Sequence, residues 1–146
     1  MALALKRTVC ATLAIGFGTL TASCSASKVS QCNQLIEVAN KAVESVQTVT
    51  TTSEPQDVNA MIQIADTADQ ATTEMQALEL PDEQLQAYQG RFVTMYAETS
   101  RASRALVAAV NEKNTQAAEE AYNALQTATG QEAPLVEEVN TYCQQE

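Results

Sequence analysis

Histidine and tryptophan are both absent from the 146 residues. The lack of histidine removes a large block of chemistry: Ser-His-Asp and Cys-His catalysis, His-ligated zinc and haem with a proximal histidine all need an imidazole. No CxxC, CxxCH, P-loop or GxGxxG spacing occurs either. Positive charge is scarce, with 8 Lys+Arg against 18 Asp+Glu and a formal net charge of −10. Nucleic-acid phosphates demand clustered Lys/Arg, so the composition argues against that class of partner and against a polybasic grip on anionic lipid. Only 4 glycines occur, of which Gly90 and Gly130 lie beyond the first 25 residues. No stretch alternates as a strand would, and no internal repeat is visible.

The N-terminus is informative about location. Lys6 and Arg7 precede a nearly uncharged apolar run containing Val9, Leu13, Ile15, Phe17 and Leu20, which ends in Thr21-Ala22-Ser23-Cys24. A basic start, a short apolar stretch and small residues are the parts of a secretory signal, and the run is too short for a bilayer span of roughly 20 residues. These residues resemble a bacterial lipoprotein signal peptide. Ala22, Ser23 and Cys24 match its lipobox, while Thr21 stands where Leu is usual and Leu20 comes one place early. The resemblance covers about the first 25 residues. It implies cleavage before Cys24, diacylation of that cysteine, and export to face a periplasm, or an equivalent lumen or cell surface. An ordinary signal cut near Ala22 or Ala26, or an uncleaved apolar anchor, are the alternatives. The expected organisation is signal peptide 1–23, tether 24–30 and one helical domain 31–146. Without Lys6 and Arg7 the body holds 6 Lys+Arg against 18 Asp+Glu, a net −12.

Cys10 lies in the signal and Cys24 would carry lipid, which leaves Cys32 and Cys143 near the two ends of the body. An even pair in an exported protein points to one disulfide, with two free buried thiols as the alternative.

Apolar residues recur at helical spacing through the body. Cys32, Leu35, Ile36, Ala39, Ala42, Val43, Val46 and Val49 predict a helix over roughly 31–50, with Ser30 as its cap. A Ser53…Gln56 capping-box spacing with Pro55 predicts the next start, and a stripe from Val58 to Leu78 carries that helix to about 79, where Leu80-Pro81 ends it. A third helix is expected over 82–112, with Gly90 as a weak point and Asp82 and Glu83 in its first turn. Asn114 or Thr115 caps a small-residue helix to about 129. Gly130 then reads as a C′ residue and Pro134 as a new helix start, so the last helix is kinked or broken between them. The fold class is therefore all-α, an antiparallel up-down four-helix bundle. In such a bundle the first helix starts and the last ends at one pole, which makes Cys32 and Cys143 neighbours. A first helix about ten residues shorter than the third is the remaining mismatch.

Candidate sites are few. Tyr88, Phe92 and Tyr96 stand at i, i+4 and i+8; they read as a core seam or as the lining of an apolar ligand slot. Arg101 and Arg104 are surface neighbours, either paired with Glu98 or a nearby acidic helix, or exposed for partner docking. Asp66/Asp69, Glu119/Glu120 and Glu137/Glu138 read as solvated acidic faces rather than a metal site, and no cofactor is implied. The expected function is a non-enzymatic, lipid-anchored bundle, held to a membrane through Cys24 and acting through contacts with a protein partner. In outline, lipobox plus bundle is similar to the small lipid-anchored helical subunits and assembly factors of cyanobacterial photosystem II. A carrier of an apolar small molecule between the helices is the alternative.

Overall fold

The computed structural model describes residues 27–53 and 57–145. The signal segment, Cys24 and the stretch 54–56 with Pro55 lie outside the described residues. Five helices follow in order: α1 (Lys28–Thr52), α2 (Val58–Gln76), α3 (Glu83–Asn111), α4 (Thr115–Thr129) and α5 (Glu132–Gln144). α4 and α5 form one run with a mild bend at Gly130–Gln131, so the architecture is an antiparallel up-down bundle of four helical runs, with no strand among the described residues.

α1 is longer at both ends than its periodicity predicts. Ser27, not Ser30, caps it: the Ser30 N–H donates to Ser27 Oγ at 3.2 Å. At the far end the threonine run does not break the helix. The hydroxyls of Thr48, Thr51 and Thr52 donate to the carbonyls of Glu44, Gln47 and Thr48 at 2.8–2.9 Å, which accommodates β-branched side chains in helical geometry. With 25 residues in α1 against 29 in α3, most of the expected length mismatch disappears.

α2 starts from Asp57, whose Oδ1 accepts the Asn59 N–H at 2.8 Å, rather than from a box at Ser53. It stops at Gln76, short of the expected residue 79. The unwound carbonyls find partners on α3: Gln89 Nε2 donates to Met75 O at 2.7 Å and to Leu78 O at 2.9 Å, and Gln86 Nε2 donates to Leu80 O at 2.7 Å. Leu78 thus belongs to the connection, not to the helix.

Asp82 caps α3 by accepting the Leu85 N–H at 2.9 Å, and α3 passes through Gly90 without interruption. α3 closes with the Asn114 N–H reaching back to Ala109 O at 2.9 Å, and Lys113 adopts the left-handed region with φ 55°. Asn114 then caps α4, accepting the Ala117 N–H at 3.1 Å. Gly130 is not a left-handed C′ residue as expected; its φ of −63° and ψ of −15° are right-handed helical. The bend has a simpler origin. Pro134 lacks the N–H that would reach Gly130 O, and its ring crowds that carbonyl.

α3 is the central element and packs on α2 and α4. α1 lies along α2, and α5 closes the bundle against α1 and α3. The large core side chains, Leu35, Met75, Leu85, Phe92, Leu135 and Val139, gather in the half where α1 begins and α5 ends. In the other half α4 faces α3 through small buried residues, Ala121 and Ala128 on α4 with Ala102 and Ala109 on α3. A separate small cluster, Val49, Ala60 and Ile64, joins the far ends of α1 and α2.

Candidate functional site

The pole where the chain ends meet is tightly tied. Cys32 and Cys143 form a disulfide with their Cα atoms 6.2 Å apart. Around it, Lys28 Nζ donates to Gln145 O at 2.6 Å and stands 4.1 Å over the Tyr142 ring. Tyr142 Oη donates to the Asp82 carboxylate at 2.9 Å, and the Asp82 N–H donates to Gln31 Oε1 at 2.9 Å. The Leu85 N–H, with help from Tyr142, holds the Asp82 carboxyl below its usual range. The start of α1, the α2–α3 connection and the end of α5 are thus joined by one covalent bond and a chain of polar contacts.

A cleft opens midway along the bundle, between the main core and the small Val49 cluster. α1 contributes Ala42, Val43, Val46 and Gln47 to its wall, and α2 contributes Ile64, Thr67 and Ala68. Met95, Tyr96 and Thr99 come from α3, with Thr129 and Glu132 from the two sides of the α4–α5 bend. Its volume is about 170 Å³. A dry apolar cavity of about 150 Å³ is large enough to take a benzene ring. The cleft follows from side-chain size: the facing positions on α1 and α2 are mostly small, and α4 leans on α3 through alanines.

Six of the twelve lining residues carry polar side chains; four are engaged within the chain, and the Gln47 amide and Thr67 hydroxyl are not, among the described residues. Thr99 Oγ1 donates to Met95 O and Thr129 Oγ1 to Leu125 O, each at 2.9 Å, so both hydroxyl protons turn back onto their own helices. The Glu132 carboxyl is the one ionisable acid in the wall. Tyr96 Oη donates to Glu132 Oε1 at 3.0 Å. Burial pushes the Glu132 carboxyl up, with the Tyr96 hydrogen bond pulling the other way. Burial, then the adjacent carboxylate, pushes the Tyr96 hydroxyl far up as well.

Of the three aromatic residues singled out in the sequence, the cleft takes only Tyr96. Phe92 is fully buried and stacks on Tyr96 with centroids 6.1 Å apart. Tyr88 packs against Tyr142 at 6.0 Å and carries the Arg91 guanidinium on its face. These two belong to the packed core, so the space between the helices begins one turn further along α3. Thr99 and Val46 carried no sequence signal for a site. A weak one existed for Glu132, a lone acid between Gly130 and Pro134.

The arginines divide. Arg104 Nη2 donates to Asp66 Oδ1 at 2.8 Å and to Asp69 Oδ2 at 2.6 Å, pinning α3 to α2. The Ser100 hydroxyl and Arg104 together hold Asp69 below its ordinary range. Arg91 forms a two-pronged pair with Glu138, and Lys41 pairs with Glu74 at 2.5 Å. Arg101 makes no ion pair among the described residues and borders a shallow α3–α4 groove beside Glu98. Among the described residues no group of three or more metal-ligating side chains converges. No helix there is long and apolar enough to cross a membrane. Comparison with protein-family models, with curated proteins and with solved structures finds no match.

Proposed function

We propose that this chain is an exported, lipid-anchored helical bundle that acts by binding rather than catalysis, and that it holds a small apolar molecule in the mid-bundle cleft. The observation that carries the reading is the cleft itself: about 170 Å³ of space walled by aliphatic side chains and Met95, with three threonines, Gln47 and one tyrosine–carboxyl pair among them. A mostly apolar hollow with a few convergent polar groups is the usual form of a small-molecule site. Anchored through Cys24, the bundle would stand on the disulfide pole. The cleft begins at Ala42, 14 residues up α1 from Lys28, so it would lie about 20 Å above that pole, within reach of the aqueous phase. Burying about 200 Å² of apolar ligand surface corresponds to about 5 kcal/mol, which sets an affinity on the order of 0.1–1 mM for a simple ring.

Toluene titration followed by methyl NMR tests this. Shifts confined to Val43, Val46, Ile64, Met95 and Thr99, and lost in a folded Ala68→Leu variant, are expected. Shifts scattered over the surface, or unaffected by filling the cleft, would overturn it. Protein docking, the first expectation from the sequence, becomes the second reading, favoured by the unpaired Arg101 on the α3–α4 face. Arg104, engaged with Asp66 and Asp69, contributes less to such a surface than Arg101.

A further inference from the structure

We infer that the cleft selects a small amine: an apolar body of about one ring carrying a single cationic nitrogen that pairs with Glu132. The inference rests on the proposed small-molecule reading and adds the chemistry of the ligand's polar end. Four observations carry it. Glu132 is the one ionisable carboxyl in the wall, and no lysine or arginine lines the cleft beside it. Tyr96 Oη occupies Oε1, while Oε2 accepts no hydrogen bond among the described residues. Four of the six cations of the body are used elsewhere: Lys41 by Glu74, Arg91 by Glu138, Arg104 by Asp66 and Asp69, and Lys28 at the disulfide pole; the other two, Arg101 and Lys113, are not among the residues that line the cleft. Finally, the Thr99 and Thr129 hydroxyl protons point at their own helix carbonyls, which leaves the Gln47 amide and the Thr67 hydroxyl, both on the α1–α2 side, as the uncommitted donors of the wall, while the α5 side offers a free carboxylate acceptor for a cation.

A half-buried carboxylate without a cation is an unfavourable arrangement, and a ligand ammonium would relieve it while making a charge-assisted hydrogen bond to Oε2. Burial already holds this carboxyl above the usual range, which is the signature of missing compensation. The surrounding chain is strongly acidic and raises the local concentration of cations while repelling carboxylates. The apolar walls then select among those cations for one with a hydrocarbon body.

The test compares benzylamine, benzyl alcohol and toluene on the full chain and on its Glu132→Gln variant, with the disulfide intact, read at the methyl groups of Val43, Val46 and Thr99. Glutamine keeps an acceptor for Tyr96 and is close in size, and thermal melts confirm folding. Benzylamine should bind at least ten-fold tighter than toluene, and Glu132→Gln should bring it to the toluene level while leaving toluene unchanged. If benzylamine and toluene bind alike, or the variant leaves benzylamine unchanged, the amine inference fails and the apolar cleft stands. Equal binding of benzyl alcohol and benzylamine would also overturn it, because the carboxyl would then be reading a hydrogen-bond donor rather than a charge. If none of the three perturbs the cleft methyls, the inference and the proposed function fail together.

Discussion

Reduction of the Cys32–Cys143 disulfide releases the two ends of the bundle from each other. The cysteines are 111 positions apart. In the chain-entropy account a closed loop of that length removes about 16 cal/mol/K from the unfolded chain, or about 5 kcal/mol at 25 °C. The folded state should feel the cut much less. Lys28 still reaches Gln145 O and the Tyr142 ring, and Tyr142 still reaches Asp82, so the pole stays assembled by polar contacts after the bond opens. The effect therefore falls on the unfolded ensemble. With a urea m-value of about 1.5 kcal/mol/M for a domain of this size, reduction should lower the midpoint by about 3 M. The m-value should rise at the same time, because the reduced chain unfolds to a more expanded state. Urea titrations of the oxidised and reduced protein read both quantities, and a Cys32→Ala/Cys143→Ala variant should follow the reduced curve. Midpoints within about 0.5 M of each other, with unchanged m, would refute the reasoning: the bond would not then be constraining the unfolded chain.

Three further perturbations separate core, helix and cleft. Phe92→Ala removes a fully buried ring and should cost about 3–5 kcal/mol in chemical denaturation; a loss below about 1.5 kcal/mol would mean that the seam is not packed around it. Gly90→Ala should gain about 0.5–1 kcal/mol in the same assay, since Gly90 is helical and exposed and a methyl group there meets no atom within 4 Å. The same change at Gly130 brings Cβ to 2.9 Å from Gln126 O and should yield no such gain. Titration gives two opposite signs. The Glu132 carboxyl is raised in the fold, so its contribution is most favourable at low pH and is lost as pH rises through its folded pKa; Glu132→Gln should thus gain stability over the native chain at pH 8 and not at pH 4. Asp69, Glu74, Asp82 and Glu138 are lowered, so their contribution is present near neutrality and is lost on acidification below about pH 4. Thermal melts across pH 2–8 check both, and a pH-independent difference between native and Glu132→Gln protein would count against the cleft assignment.

The structure departs from the sequence reading at local choices that neighbouring residues leave open and at interactions between segments. Ser27 and Asp57 displaced Ser30 and Ser53 as caps because several capping residues stood within one turn of each boundary, and only the path of the chain chooses among them. Thr50–Thr52 looked like a break because β-branched residues are weak helix formers, but their hydroxyls fold back onto the carbonyls one turn earlier. α2 stopped early because Gln89, on another helix, takes its last carbonyls. Arg104 could be seen as a surface cation, but its partners Asp66 and Asp69 depend on the register of α3 against α2. The arrangement of the helices was more accessible: an even number of runs with short connections brings Cys32 to Cys143.

The sequence by itself determined the number and order of the helices, the antiparallel path, the bend before Pro134 and the meeting of the two cysteines. Each depends on a period of 3.6 residues, on a missing N–H, or on the parity of the chain's reversals, all of which act along the chain. The cleft was decided only in the tertiary structure. Its volume is what remains when side chains from α1, α2, α3 and the α4–α5 bend are placed at one level, and residues as far apart as Ala42 and Glu132 must be summed before it exists. Tyr96 could be read as core and Glu132 as surface because one segment's pattern records only which face is apolar. Whether the opposing helices fill the space in front of that face is set by their volumes and their register.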